Sequence, residues 1–180
     1  QYSDPLWRNY QFMLKDKVFI QSVTNTFTYL IVQVPIMLVL AIIFASLLNN
    51  RDLKFRGLFR TCIFLPCATG LVAYSMIFRT LFTYDGMVNA LLLNLGIISE
   101  RINWLNDPST AKAVIIIGLI WRWTGYNMVF FLSGMQGIEY SIYEAARIDG
   151  ANQFQQLIKI TIPLLKPIIL VTGIMSTNGT

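Results

Sequence analysis

The sequence predicts an all-α, polytopic transmembrane helical bundle, and two observations carry that prediction. First, 55% of the 180 residues are hydrophobic and 13% are charged, whereas average globular chains have about 45–50% and about 25%. Second, the apolar residues gather in runs of about 20 residues, the length that a helix needs to cross a hydrocarbon core of about 30 Å. A soluble domain is therefore excluded.

Four apolar runs give the predicted spans in order. The first covers residues 23–48 and includes Pro35, which a membrane helix tolerates when neighbouring groups satisfy the freed carbonyl. The second covers residues 58–82, with a proline and a glycine near its middle, and the third covers residues 111–134. A fourth run begins directly after Pro163 and breaks off at the chain end. We therefore expect three complete spans and one truncated span.

Charges in the gaps between the spans predict which side of the membrane each gap occupies. Residues 49–60 carry four cations against one anion, whereas residues 83–110 carry one cation against three anions. Because cytoplasmic loops retain lysine and arginine, the first gap is predicted to be cytoplasmic and the second external. Because successive spans cross the membrane in opposite directions, residues 136–166 are then predicted to be cytoplasmic.

The external gap is predicted to hold structure of its own. Residues 87–98 are apolar enough to lie in the membrane interface, and Trp104 is suited to anchor at the level of the headgroups. Residues 106–109 have the composition of a turn that leads into the third span, with Pro108 in the first helical turn.

Several kinds of chemistry are excluded by what the sequence lacks. It has no histidine, which removes Ser–His–Asp and Cys–His catalysis and histidine-based zinc sites. Neither of the common glycine-rich phosphate-binding strings occurs in it. Its 14 Lys and Arg are dispersed among apolar runs and form no basic stripe. We therefore expect no catalytic residues, no metal, no cofactor bound by this chain and no nucleic-acid partner.

The polar stretch between the third and fourth spans, residues 139–163, is predicted to form a helix–Gly–helix loop. Ser141 and Glu144 have the spacing of a capping box, which would start a short helix. Gly150 suits the left-handed cap that would end this helix, and an amphipathic helix then continues until Pro163 ends it. The loop is too polar to enter the bilayer, so its apolar faces must be covered by something else.

The same loop carries a pattern of known meaning. It contains E-A-A at residues 144–146, Gly150 after three further residues, and I-T-I-P at residues 160–163 after nine more. This spacing resembles the EAA signature, EAA---G---------I-LP, of the transmembrane permease subunits of bacterial and archaeal ABC importers. Ile162 stands where that signature usually has leucine, which is a volume-conserving exchange. Three further stretches resemble the carbohydrate-uptake branch of these permeases, which serves maltose, lactose, arabinose and glycerol-3-phosphate: residues 9–26, 103–108 and 121–127.

The resemblance implies a fold, a location and partners. The fold would be that of a type I ABC importer permease, with residues 1–180 forming part of one transmembrane domain in the cytoplasmic membrane of a bacterium or archaeon. The chain would begin in the first external loop and would lack the first helix and most of the last two. The implied partners are a second permease subunit in a heterodimer, two ATPase subunits that bind the ATP, an extracytoplasmic solute-binding protein and the lipid bilayer.

The resemblance also implies that residues 139–163 dock in a groove on the ATPase and transmit its closure to the spans. The residues that would form this coupling loop are Glu144, Ala145, Ala146, Arg147, Asp149, Gly150, Ala151, Ile160 and Pro163. The alternative for Glu144 is a capping role alone. The alternative for Arg147 and Asp149 is a solvated pair worth about 0–1 kcal/mol.

A second candidate site lies within the third span. Arg122 sits near its middle, where a cation costs about 2.5–3.5 kcal/mol on insertion scales, so it is a candidate for the substrate path. Tyr126 is predicted to share its face, and Tyr126 and Asn127 offer a ring and an amide that suit sugar hydroxyls. The alternative is that Arg122 snorkels or bonds a carbonyl freed by a proline, and that the other polar groups only join neighbouring helices.

These observations predict a permease subunit that translocates a sugar or a related small polar solute. An ABC importer for a non-sugar solute remains an alternative, because other branches share the loop signature. A secondary transporter or channel is a further alternative, but it would use intramembrane carboxylates for ion coupling, and the three complete spans contain none. A membrane-bound enzyme would need a catalytic cluster that the sequence does not offer.

Overall fold

A computed structural model describes residues 7–50 and 53–178, apart from the side chain of residue 178. Every regular element among these residues is a helix. In chain order they are α1 (Arg8–Lys15), α2 (Lys17–Asn49), α3 (Arg56–Ala68), α4 (Leu71–Leu81), α5 (Met87–Asn94), α6 (Pro108–Gln136), α7 (Tyr140–Ile148), α8 (Gln153–Gln156), a π-helix (Leu157–Thr161) and α9 (Ile162–Asn178). The all-α prediction is confirmed.

The helices include several that are long and apolar enough to cross a membrane. They are α2, α6 and the continuous run from α8 to α9, and α3 with α4 would add a fourth if the pair is one span. The predicted first and third spans are therefore confirmed, and Pro35 lies inside α2 as expected. Of the charges used to predict the topology, Arg51 and Asp52 lie outside the described residues.

The core lies where α2 and α6 pack along each other and α9 closes one side. Ala41 and Ala45 of α2 are fully buried in the same cluster as Met128 and Phe131 of α6. Small side chains allow two membrane helices to approach closely, which explains why alanines occupy this face of α2. Leu165 of α9 is buried in the cluster as well, so all three helices share one core.

The second predicted span is not a straight helix. It is divided into α3 and α4, which meet at an angle of 99°. Thr69 and Gly70 between them both have extended backbone, and the Thr69 hydroxyl donates to the Pro66 carbonyl at 2.7 Å. The chain therefore leaves the helical conformation three residues after Pro66, and the predicted span over residues 58–82 is divided into two helices.

The entry into α6 follows the predicted turn. The helix begins at Pro108, and the Asp107 side chain caps it by accepting from the Thr110 amide at 3.2 Å. Proline suits this position because its missing N–H would have no partner in the first turn of a helix.

The external gap is organised around one buried amide. Asn89 is fully buried, and its Nδ2 donates to the Tyr84 and Ile102 carbonyls at 3.0 and 2.8 Å. Its Oδ1 accepts from the Trp104 indole at 2.8 Å. Trp104, which the sequence suggests as a membrane anchor, therefore holds the segment after α5 against that helix.

The approach to the fourth span also departs from the prediction. Pro163 does not end a separate helix, because α8, the π-helix and α9 form one continuous run. The Ile162 amide donates to the Leu157 carbonyl, five residues back, so the helix widens by one residue immediately before the proline. Wide turns of this kind absorb local strain inside helices and occur frequently at functional sites.

Candidate functional site

The loop between α6 and α9 begins differently from the predicted capping box. Helix α7 starts at Tyr140, with Glu139 as the capping residue and no cap from a side chain. Ser141 is therefore already in the first helical turn and cannot act as the N-cap, and Glu144 lies a full turn inside the helix. The prediction that Ser141 and Glu144 form a capping box is wrong.

A capping box does occur further along, at the start of α8. The Asn152 side chain accepts from the Gln155 amide at 2.8 Å, and the Gln155 side chain accepts from the Asn152 amide at 2.9 Å. Asparagine and glutamine at this spacing carry the same signal as serine and glutamate. These two polar residues therefore fix the start of the second limb of the loop.

The turn between the two limbs has the predicted left-handed glycine. Gly150 has φ of +80°, and its amide donates to the Arg147 carbonyl at 3.0 Å. The Ala151 amide donates to the Ala146 carbonyl at 2.8 Å, which completes a Schellman cap. The angle between α7 and the second limb is thus set by a hydrogen-bonded turn.

The tip of the loop is largely exposed. Glu144, Ala145 and Asp149 are exposed, whereas Ala146 is half-buried. Ile148, which the sequence reasoning did not select, is 86% exposed although it is apolar. The sequence could have indicated Ile148 as an exposed apolar residue, because it lies beside an aspartate on a short polar helix.

Arg147 does not pair with Asp149. Its Nη1 donates to the Tyr140 hydroxyl at 3.0 Å, and its guanidinium carbon lies 5.6 Å from the centre of the Tyr140 ring. Within residues 7–50 and 53–178 the recorded ion pair is that of Arg101 with Asp85. Asp149 is therefore exposed at the tip, and no ion pair joins its carboxylate to another of the described residues.

The inner side of the loop is held by buried polar groups. The Tyr143 hydroxyl and Thr161 Oγ1 are 2.9 Å apart, and Thr161 is 5% exposed. Gln156 is buried and donates to the Ala151 carbonyl at 2.8 Å, although the periodicity places it on the polar face. Of the other predicted loop residues, Ile160 is half-buried and Pro163 is exposed.

The second candidate site is a cavity of about 170 Å³ inside the bundle. Its walls come from three helices, α2, α6 and α9. The residues that line it are Gln33, Met37, Trp123, Tyr126, Asn127, Met175 and Ser176. The predicted pair Tyr126 and Asn127 is therefore brought together with groups from α2 and α9 that the sequence analysis did not choose.

Polar groups in this cavity are only partly satisfied. Asn127 is 2% exposed and donates to the Trp123 carbonyl at 3.1 Å, while its Oδ1 accepts from the Ser176 hydroxyl at 3.5 Å. Gln33 is 1% exposed, and its Oε1 has no hydrogen-bond partner in the structure. Unsatisfied buried amides are costly, at about 1–3 kcal/mol each, so this group is suited to receive a hydroxyl.

Arg122 lies apart from this cavity. Its guanidinium carbon is 5.4 Å from the centre of the Tyr74 ring on α4 and 5.7 Å from that of Trp123. Its Nη1 is buried without a hydrogen-bond partner. The structure therefore separates Arg122 from Tyr126 and Asn127, with which the sequence analysis grouped it.

The fold and the loop together define a multi-pass membrane protein with an exposed polar loop between its last two described spans. Residues 14–179 match the family described as the binding-protein-dependent transport system inner membrane component. The chain belongs to this family.

Relatives support the assignment. The lactose transport system permease protein of Rhizobium radiobacter is 55% identical over 165 residues, covering 92% of this chain and 55% of that protein. The arabinooligosaccharides transport system permease protein of Halalkalibacterium halodurans is 36% identical over 176 residues, covering 97% of this chain and 54% of that protein. The chain thus spans about half the length of these relatives.

A solved structure shows the same fold. A chain of a bacterial alginate ABC transporter, crystallised in complex with an alginate pentasaccharide-bound periplasmic protein, superposes with a TM-score of 0.86 at 25% identity. The match covers 98% of this chain and 60% of that chain. The helical arrangement of this chain therefore matches a fold known from a bacterial ABC transporter.

Proposed function

We propose that the full-length protein is a permease subunit of an ABC importer that moves a sugar or a related small polar solute across the cytoplasmic membrane. The observation that carries this proposal is the exposed E-A-A helix, α7, set between two membrane-spanning segments and ended by Gly150. Partner subunits hydrolyse the ATP, and an extracytoplasmic binding protein delivers the solute. The chain itself makes and breaks no covalent bond.

The docking role of the loop gains support from the helix start. Because Glu144 caps nothing, its capping alternative loses its basis, and its carboxylate is exposed for a partner. Exposed Ala145 allows a close approach, and Ile148 offers an apolar contact that the described residues leave 86% exposed. We assign the ATPase contact to this surface, which we call the docking face.

The transport mechanism follows from differential binding. ATP would draw two ATPase subunits together, and the docking face would move with the groove that holds it. A ligand shifts an equilibrium only by binding one state more tightly than the other. The two states here are inward-open and outward-open arrangements of this permease and a second permease subunit.

The cavity supports a polyhydroxylated solute. Its walls are mostly apolar, with the rings of Trp123 and Tyr126, and they include two nearly fully buried amides, Gln33 and Asn127. Amides bond hydroxyl groups, and aromatic faces pack against the apolar faces of sugar rings. Lactose and arabinooligosaccharides are named for two relatives. A sugar is therefore favoured over the amino-acid, phosphate or metal solutes of other branches.

A secondary transporter is disfavoured by the composition of the spans. The described helices α2, α3, α4, α6 and α9 contain no aspartate or glutamate. Ion-coupled transporters use such groups within the membrane. The described spans therefore lack the carboxylates that ion coupling uses.

Cross-linking tests the docking face directly. In the full-length protein without its native Cys62 and Cys67, Ala145→Cys would be paired with cysteines in the groove of the co-expressed ATPase. We expect a disulfide whose yield changes with ATP. Ile97→Cys, on the predicted external side and 65% exposed, serves as the control and should give none. An assembled complex in which no docking-face position cross-links would contradict the proposal.

A further inference from the structure

The two limbs of the loop are joined on their inner side by one hydrogen bond, between Tyr143 and Thr161. We propose that this bond, which we call the brace, is the joint that transmits movement of α7 to α9. The inference rests on the proposed function, since it concerns how docking is converted into movement of a span. Tyr143 and Thr161 are thus positioning residues for transport.

The Thr161 hydroxyl has two neighbours. Its Oγ1 lies 2.9 Å from the Tyr143 hydroxyl, where either group can be the donor, and 3.3 Å from the Gln156 carbonyl. The brace needs both hydroxyls, so removing either one breaks this side-chain link between α7 and the π-helix.

The brace meets the second limb at the end of the π-helix. Thr161 is the last residue of the π-helix, directly before Ile162, whose amide donates to the Leu157 carbonyl. Pro163 then supplies no amide at all. The regular α-helical hydrogen-bond pattern is interrupted here, and the side-chain bond adds a further link between the start of α9 and the loop.

Movement of Thr161 would then be passed to the packed core through α9. Leu165 is four residues after Thr161, is 1% exposed, and belongs to the same cluster as Met135 near the end of α6. Gln156 fixes the other side of the joint through its bond to the Ala151 carbonyl. A displacement of α7 thus has a continuous route through Tyr143 and Thr161 to the packed helices.

The test uses the full-length permease assembled with its ATPase and second permease subunits in proteoliposomes. Tyr143→Phe and Thr161→Val remove one hydroxyl each with little change of shape, and Thr161→Ser keeps the hydroxyl. Two readouts are taken from each variant: the Ala145→Cys cross-link to the ATPase, and the solute transported per ATP hydrolysed, with labelled lactose and arabinooligosaccharides as probes.

We expect Tyr143→Phe and Thr161→Val to keep the cross-link but to lower transport per ATP by about fivefold, as for one lost hydrogen bond. Thr161→Ser should stay within about twofold of the unaltered protein, and the double variant should be no worse than either single one. If Thr161→Val does not assemble with its partner subunits, the transport per ATP of Tyr143→Phe alone tests the brace.

Normal transport per ATP in Tyr143→Phe, or an equal loss in Thr161→Ser, would overturn the brace while the proposed function stands. A different result tests the proposed function itself. Absence of the cross-link in the otherwise unaltered, assembled complex would overturn both the docking proposal and the brace that depends on it.

Discussion

Individual side chains of α6 show how well spacing along one helix predicts which residues face the same neighbours. Arg122 and Asn127 are five residues apart, which places them about 140° apart on a helix, so they face different neighbours. Asn127 enters the cavity with Tyr126, whereas Arg122 packs over Tyr74. Gln33 completes the cavity from α2, and only the packing of three helices could reveal that.

Substitution of the cavity amide should reduce transport. Asn127→Leu removes the group that bonds Trp123 and Ser176 and replaces it with an apolar side chain. We expect sugar uptake to fall by about tenfold, which corresponds to about 1.4 kcal/mol of lost binding. Uptake in proteoliposomes and the Ala145→Cys cross-link would both be measured.

The matched control is Ser133→Ala, an exposed position on the same helix, which should leave uptake unchanged. Equal uptake by Asn127→Leu and the unaltered protein, with both fully assembled, would remove Asn127 from the substrate path.

At the scale of helices, the hydrophobic runs and the start of α6 were predictable, but the breaks and widened turns between helical segments were not. The sequence identifies α2 and α6 because their apolar runs are long, and Pro108 marks the start of α6. It does not show the 99° bend after α3, because apolar composition continues through Thr69 and Gly70. It also does not show the π-helix before Pro163, since a widened turn changes hydrogen bonding without changing the hydrophobic pattern.

The same limit applies to the coupling loop. Its outline, helix–Gly–helix, was predictable from Gly150 and the E-A-A pattern. Its capping residue was not, because Ser141 is the second residue of a helix that begins at Tyr140. The Tyr143–Thr161 bond joins residues 18 positions apart, a distance at which periodicity within one helix carries no information.

The close approach of α3 to α6 depends on Gly125. A Cβ atom at this position would lie 2.0 Å from the Ile63 carbonyl oxygen, which is backbone and cannot move aside without shifting α3. We expect Gly125→Ala to destabilise the bundle by about 1–3 kcal/mol, as in other overpacked cores. Thermal unfolding in detergent should show a lower Tm than for Gly57→Ala, where nothing lies within 4 Å. An unchanged Tm would contradict this packing.

The turn of the loop depends on backbone conformation alone. Gly150 has φ of +80° with open space around its Cα, so any cost of a side chain comes from the backbone. Gly150→Ala should cost about 1–2 kcal/mol and lower the nucleotide-dependent cross-link at Ala145→Cys. Gly150→Asn should be milder, because asparagine tolerates this conformation. Equal cross-linking by both variants and the unaltered loop would show that the turn does not set the docking geometry.

At the scale of the whole molecule, the cavity and the exposed loop lie at different places on the same helices. The bundle keeps a small cavity among α2, α6 and α9, with a mostly apolar lining, and beyond α6 it has an exposed loop that connects directly to α9. The cavity that we propose as the solute site and the loop that carries the proposed docking face thus both involve α6 and α9. This arrangement agrees with our proposal of a permease subunit that is driven by partners, and the chain belongs to the binding-protein-dependent transport family.

Uptake by the reconstituted complex tests the central claim most directly. The full-length permease would be assembled with its second permease, its ATPase subunits and its binding protein in proteoliposomes, with labelled lactose, maltose and arabinooligosaccharides as probes. We predict uptake of at least one sugar that requires internal ATP and the binding protein together, and that is abolished when either is omitted. Uptake that proceeds without ATP and follows an imposed proton or sodium gradient would contradict the account.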